Sequence, residues 1–319
     1  MPSIDMPRPQ TGSQPQRLIM TLLSHYWDDS EEFIPPAAII RLLEDFDITA
    51  LSTRAALRRL VQRGALENAP SGRRRGVRLP EHYKKSMART RERLRLLGPG
   101  APPWDGLWTV AMFSLPEADR DVRHAAKSRL QWIGLAPLFD GFWVTSLDLA
   151  DAVKGIFEDL GITEFLVMRA SAIPGGRQPA SAWNFDDARN NYLRFIDQFA
   201  PLRERVRSGS VGAQEALLER TNLMNEWRIV RHSDPLLPAE LLPADWPRNE
   251  ALALLEELHD SLAPLAIIRF RQVLEETAAD LVQQATFRTF RSNPAGKADP
   301  ADRKAPQSSE TVRVRSRAR

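Results

Sequence analysis

Thr49-Ala-Leu-Ser-Thr-Arg-Ala-Ala-Leu-Arg-Arg-Leu-Val-Gln-Arg-Gly64 reads as one short helix with both ends marked. Thr49 or Ser52 can cap its start, because a hydroxyl oxygen accepts a hydrogen bond from a first-turn amide that has no partner in the helix. Gly64 stands where a helix closes in left-handed backbone. At about 100° per residue, Leu57, Leu60 and Val61 gather on one side while Arg54, Arg58, Arg59, Gln62 and Arg63 cover the other. A solvated helix face normally mixes charges of both signs. This one carries four arginines and no Asp or Glu, which suits a polyanion.

Working outward, Ala65-Leu66-Glu67 and Val77-Arg78-Leu79 predict two short strands around Ser71-Gly72-Arg73-Arg74-Arg75-Gly76, an arginine triplet at a hairpin tip. On the other side, Leu18, Thr21, Leu22, His25 and Tyr26 share one helical face of Arg17 to Trp27. Pro35-Pro36 can open a second helix, Ala37 to Phe46, since proline suits a first turn. Three short helices followed by a basic hairpin predict a winged helix-turn-helix over residues 16–97, preceded by a disordered arm over residues 1–15. The expected DNA-binding residues are Ser52, Thr53, Arg54, Arg58, Arg59, Gln62 and Arg63 on the third helix and Arg73, Arg74 and Arg75 on the hairpin. An arginine fork matches two acceptors on a guanine edge in the major groove, and hairpin arginines suit phosphate or minor-groove contact.

Charge along the chain agrees with this division. From Ser52 to Arg95 there are fourteen Lys/Arg against three acids, Glu67, Glu81 and Glu92. From Glu117 to Asp260 sixteen basic residues face twenty-three acids, so the formal net charge of +3 conceals a basic segment and an acidic bulk. With no cysteine, neither a disulfide framework nor a thiolate metal site can be built. The N-terminus has no apolar signal core and no stretch approaches a membrane span, so a cytoplasmic protein without membrane contact is expected. The five histidines show no metal-ligand spacing, and neither a phosphate-binding glycine loop nor a nucleophile elbow is present. No catalytic set, metal or cofactor is expected, and the chain is read as a regulator and not an enzyme.

A basic helical segment from Glu81 to Leu97 leads into Gly98-Pro-Gly-Ala-Pro-Pro103, which can continue neither helix nor ladder. Beyond this linker the pattern strand, helix, two strands around a glycine, helix, strand predicts a ferredoxin-like β-α-β-β-α-β unit over residues 104–172. Its aromatic residues, among them Trp108, Trp132, Phe139, Trp143 and Phe157, read as core. Residues 181–290 predict a helical C-terminal domain, with helices over Trp183 to Phe199, Ser210 to Val230 and Glu250 to about Thr289, the last containing Pro264. Residues 291–319 form a polar, finally basic tail expected to be disordered. The fold class is α+β.

Four blocks carry a family resemblance: Arg17-Leu-Ile-Met-Thr-Leu-Leu; Thr53-Arg-Ala-Ala-Leu-Arg-Arg-Leu-Val61 with Gly64; Gly72-Arg-Arg-Arg-Gly76; and Trp227-Arg228 with Asp234-Pro235, Leu237-Pro238 and Leu242-Pro-Ala-Asp-Trp-Pro247. Over Arg17 to about Leu265 the chain resembles the PaaX family, repressors of phenylacetic acid catabolism. The resemblance implies a winged-helix reader of double-stranded operator DNA, a middle domain similar in fold to the Cas2 nuclease, and a helical C-terminal domain. It also implies a homodimer released from its operator by an aryl-coenzyme A thioester such as phenylacetyl-coenzyme A, with effector-binding residues unassigned. Ser114 stands where an active Cas2-like nuclease would place a metal-binding aspartate, which argues against the competing reading of a metal-dependent nuclease. A nonspecific architectural DNA-binding protein is the other alternative.

Overall fold

The computed structural model describes residues 14–71, 74–85, 87, 103–171 and 175–290. The expected arm up to residue 13, most of the basic segment 81–97, the linker from 98 to 102, Arg73 and the tail from 291 lie outside them. The chain begins with α1 (Gln14–Tyr26), α2 (Pro36–Glu44) and α3 (Ala50–Gln62), then a hairpin of β1 (Glu67–Ser71) and β2 (Arg74–Arg78). Helix α1 thus starts two residues inside the span expected as an arm. Pro36 opens α2, where its missing N–H costs no helical hydrogen bond. Asp47, at φ 57, turns the chain between α2 and α3. Thr49 caps α3 by accepting from the Ser52 amide at 3.3 Å, and Gly64 comes after it at φ 68.

The hairpin differs from its expected form. Its antiparallel ladder runs from Glu67↔Arg78 to Ser71↔Arg74, so Arg74 and Arg75 belong to β2 and not to a loop tip. Pairing continues as far as Ser71 and Arg74, through residues that carry no apolar signal. A third edge joins from before α2, where the Ile34 and Val77 amides each donate to the other's carbonyl at 2.9 Å. Gly76 permits this approach: a Cβ there would sit 2.6 Å from Phe33 Cβ and 2.8 Å from the Phe33 carbonyl oxygen.

The middle of the chain runs β3 (Trp108–Phe113), α4 (Arg120–Ile133), β4 (Ala136–Phe139), β5 (Phe142–Thr145), α5 (Ala150–Asp159) and β6 (Phe165–Ala170). The sheet order is β4-β5-β3-β6 with every neighbouring pair antiparallel. The β4–β5 register shifts between Pro137 and Phe139, on an edge strand where a proline is tolerated. Strand alternation sends Ala111 and Trp143 to a core with Leu130, Val153 and Phe157 of the two helices. Trp108, Val110 and Val144 point to the opposite face, which Trp183 and Leu237 cover. Trp132 and Phe139, expected in the core, are 37% and 54% exposed.

The C-terminal part consists of α6 (Phe185–Arg207), α7 (Ala213–Ser233) and α8 (Arg248–Thr277). Helix α8 retains Pro264 but ends twelve residues before the expected Thr289. The chain reverses there and lies back on the bundle, Thr286 donating its amide to the Tyr26 carbonyl at 3.1 Å and Arg271 donating to the Ala285 carbonyl at 2.8 Å. A buried ion pair anchors the proline-rich loop between α7 and α8. Arg248 donates to both Asp234 oxygens, at 2.8 and 3.0 Å, and to the Leu237 carbonyl at 2.8 Å. The Tyr192 hydroxyl donates to the same carboxylate, and burial first, then the Asp234 charge, pushes its pKa above the ordinary value.

The parts expected as separate domains over residues 16–97 and 181–290 share one hydrophobic core. Ile19, Leu23 and Leu42 of the N-terminal helices join Trp227, Leu258 and Phe270 of the C-terminal ones, with Tyr26 and Phe270 stacked at 5.0 Å between ring centroids. Arg220, 1% exposed, lies 5.1 Å from the Tyr26 ring centroid and donates to the His259 carbonyl at 2.9 Å. Burial, assisted by the Arg220 charge, pushes the His259 pKa down to about 4, which keeps the ring neutral beside that cation at pH 7. No helix among the described residues is long and apolar enough to cross a membrane.

Candidate nucleic-acid interface

The phase of α3 is set by Thr53, Ala56, Leu57 and Leu60, which are buried against α1 and α2. That leaves Ser52, Arg54, Arg58, Arg59, Gln62 and Arg63 on an exposed arc of about half a turn. Thr53 therefore leaves the set of expected contacts: it is 0% exposed and its hydroxyl donates to the Thr49 carbonyl at 3.1 Å, one turn back. Arg63 is exposed but its guanidinium already donates to Gln16 of α1, so it ties the C-terminal end of α3 to that helix.

Arg54, Arg58, Arg59 and Arg75 make no ion pair among the described residues. Elsewhere arginines find carboxylates: Arg78 reaches Glu67 at 2.9 Å, Arg207 reaches Glu257 at 2.8 Å and Arg269 reaches Asp45 at 2.8 Å. The contrast is chemical. Among the described residues, carboxylates pair with arginines elsewhere on the surface and leave this helix face without one, so the positive potential that its own arginines give it is uncancelled.

Helix and hairpin converge. Arg58 and Gln62 of α3 and Asn68 and Arg75 of the hairpin line one groove of about 240 Å³, with Leu57 and Val77 also in its wall. Arg74 lies in β2, while Arg73 falls outside the described residues. Two features of the site carry no signal in the sequence. Asn68 reads there simply as part of the hairpin. Leu51, in the first turn of α3, is 77% exposed, although a leucine on a helix reads as core. Arginine forks, amides and an apolar tip on one convex helix are the groups that read base edges in a major groove.

Three family models match consecutive parts of the chain: the PaaX-like protein model over residues 14–83, the PaaX protein central Cas2-like domain over 101–182 and the PaaX-like protein C-terminal domain over 183–272. Among curated proteins, the Transcriptional repressor PaaX of Escherichia coli (strain K12) is 25% identical over 261 residues, covering 76% of this chain and 79% of that protein. Among solved structures, an uncharacterized protein of Mycobacterium tuberculosis is 23% identical, with a TM-score of 0.49, over 80% of this chain and 96% of the other. The β-α-β-β-α-β unit is a Cas2-like domain and the three C-terminal helices make up the helical domain after it. Matched in sequence order by the three parts of one family, each on its own part of the fold, the chain belongs to the PaaX family.

Proposed function

We propose that this protein is a transcriptional repressor whose first three helices and hairpin act as a winged helix-turn-helix on double-stranded operator DNA. Helix α3 enters the major groove, where Arg54, Arg58 and Gln62 face base edges and Ser52, Arg59 and Arg63 face the flanking backbone. Arg73, Arg74 and Arg75 of the hairpin hold phosphates or the minor groove. The observation that carries this reading is the arginine face of α3, which has no carboxylate partner among the described residues and shares a groove with Arg75. The relation to a curated transcriptional repressor supports the regulatory role over an enzymatic one. The protein acts as a homodimer and leaves its operator when it binds an effector of the aryl-coenzyme A thioester class; the family relation supports both.

The test begins with a duplex selected from a random library by repeated binding, then compares it with an unselected duplex. Arg58→Ala is expected to weaken binding to the selected duplex by about 1–3 kcal/mol and to the unselected one much less. Equal losses on both would move Arg58 to the phosphate contacts. No loss on either would remove α3 from the interface.

A further inference from the structure

We infer that Asp45 is a positioning residue for DNA reading, through which helix α8 of the C-terminal domain fixes the orientation of α3. The inference rests on the proposed role of α3 and names how that role is controlled. Asp45 directly succeeds α2, and its side chain is 3% exposed. One carboxylate oxygen accepts from Arg269 Nε at 2.8 Å; the other accepts from Arg269 Nη2 at 2.9 Å, Gln214 Nε2 at 3.2 Å and Arg41 Nη1 at 3.3 Å. Those donors come from α8, α7 and α2, so a single buried carboxylate joins the reader to two helices of the C-terminal domain. A two-pronged arginine–carboxylate pair fixes direction as well as distance. A second tie one turn back on α2, Arg41 to Glu276 of α8 at 3.3 Å, resists rotation about the first.

The turn between Asp45 and α3 is too short and too well bonded to absorb movement. The amides of Asp47 and Ile48 donate to the carbonyls of Glu44 and Leu43 at 3.0 and 3.1 Å, Asp47 holds φ 57, and Thr49 already caps α3. A displacement of Arg269 along α8 is therefore delivered to the first two turns of α3, where Leu51 and Arg54 stand. An effector bound anywhere that shifts α8 would change DNA affinity by this route, with no need to melt the reader.

The absence of cysteine allows a clean test. Nitroxide labels on Leu51→Cys and Gln272→Cys, both exposed positions, report the distance between α3 and α8 in the free full-length protein. Operator affinity is measured without labels on the selected duplex. Asp45→Asn and Arg269→Ala are expected to broaden the distance distribution well below the melting temperature and to weaken operator binding about tenfold. Arg269→Lys, which keeps the charge but loses the fork, recovers part of the affinity. Gln214→Ala removes one donor and serves as a milder variant if the others do not fold. Suppose Arg58→Ala weakens binding while Asp45→Asn and Arg269→Ala bind normally with a narrow distribution: the reading of α3 then stands and the link is overturned. If Arg58→Ala also binds normally, the reading of α3 falls, and the distance distribution decides the link alone, narrow overturning it and broadened upholding it.

Discussion

Leu51 and Thr53 occupy the reverse of the places that their polarity suggests, and the helix explains both. Core contacts from Ala56, Leu57 and Leu60 fix the phase of α3, which turns position 53 inward and position 51 outward. A threonine tolerates burial in a helix because its hydroxyl can donate to the carbonyl one turn back, here Thr49 at 3.1 Å. The arginine face was legible in the sequence, since charge of one sign on one arc needs only the helical period. The boundary of that arc was not, because it depends on which neighbours α1 and α2 bring. An exposed leucine among arginines has a use in a major groove, where the thymine methyl is an apolar target. Leu51→Ala is expected to weaken binding to the selected operator by about 1 kcal/mol, roughly the value of one buried methylene, with the unselected duplex and the melting temperature little changed. Fluorescence anisotropy on the two duplexes measures this. Tighter or unchanged operator binding would place Leu51 outside the groove.

The hairpin shows what is legible of an element and what is not. Its existence was readable from the glycine-flanked arginines, but the strands pair further toward the tip than the apolar residues indicated, drawing Arg74 and Arg75 into β2. The reason lies in backbone pairing, which continues through polar residues once register is set. Its third edge was invisible in the sequence, because Ile34 lies more than forty residues before Val77 and no local period links them. That contact gives Gly76 a role beyond its place in a motif. A methyl group there would meet the backbone of Phe33 at 2.8 Å, and backbone cannot rotate away as a side chain can. Gly76→Ala is expected to cost about 1–3 kcal/mol of stability through overpacking. By displacing Arg75 from the groove that it shares with Arg58, the change also weakens binding to selected and unselected duplexes alike. Thermal melting and duplex titration together check this; a variant with unchanged melting and unchanged affinity would show that the 28–35 segment yields to the hairpin.

At the scale of the whole molecule, the proposed reader shares its core with the C-terminal helices. The sequence showed three parts in order, with a glycine- and proline-rich linker after the first. The core shared by α1, α2, α7 and α8 was not legible, since hydrophobic faces reveal that they need a partner but not which one. Its consequence for the proposed dimer is geometric. If two copies pair about a two-fold axis through the Cas2-like unit or the C-terminal helices, the separation of their α3 helices is fixed by rigid packing and by Asp45, whatever the linker does. The operator should then be an inverted repeat with half-site centres about one helical turn apart, ~34 Å, or a multiple of it. A rigid body further predicts intolerance of phase. Inserting about half a turn of DNA between the half-sites carries one of them to the opposite side of the duplex and should abolish joint occupancy, whereas a full-turn insertion weakens it less. A reader on a flexible tether would accept both insertions nearly equally. Light scattering of the free protein, then footprinting on the selected operator and its two insertion variants, separates these outcomes. A monomer that protects a single half-site would remove the dimer, and equal occupancy of both insertion variants would show that the reader moves independently of the helices on which it rests.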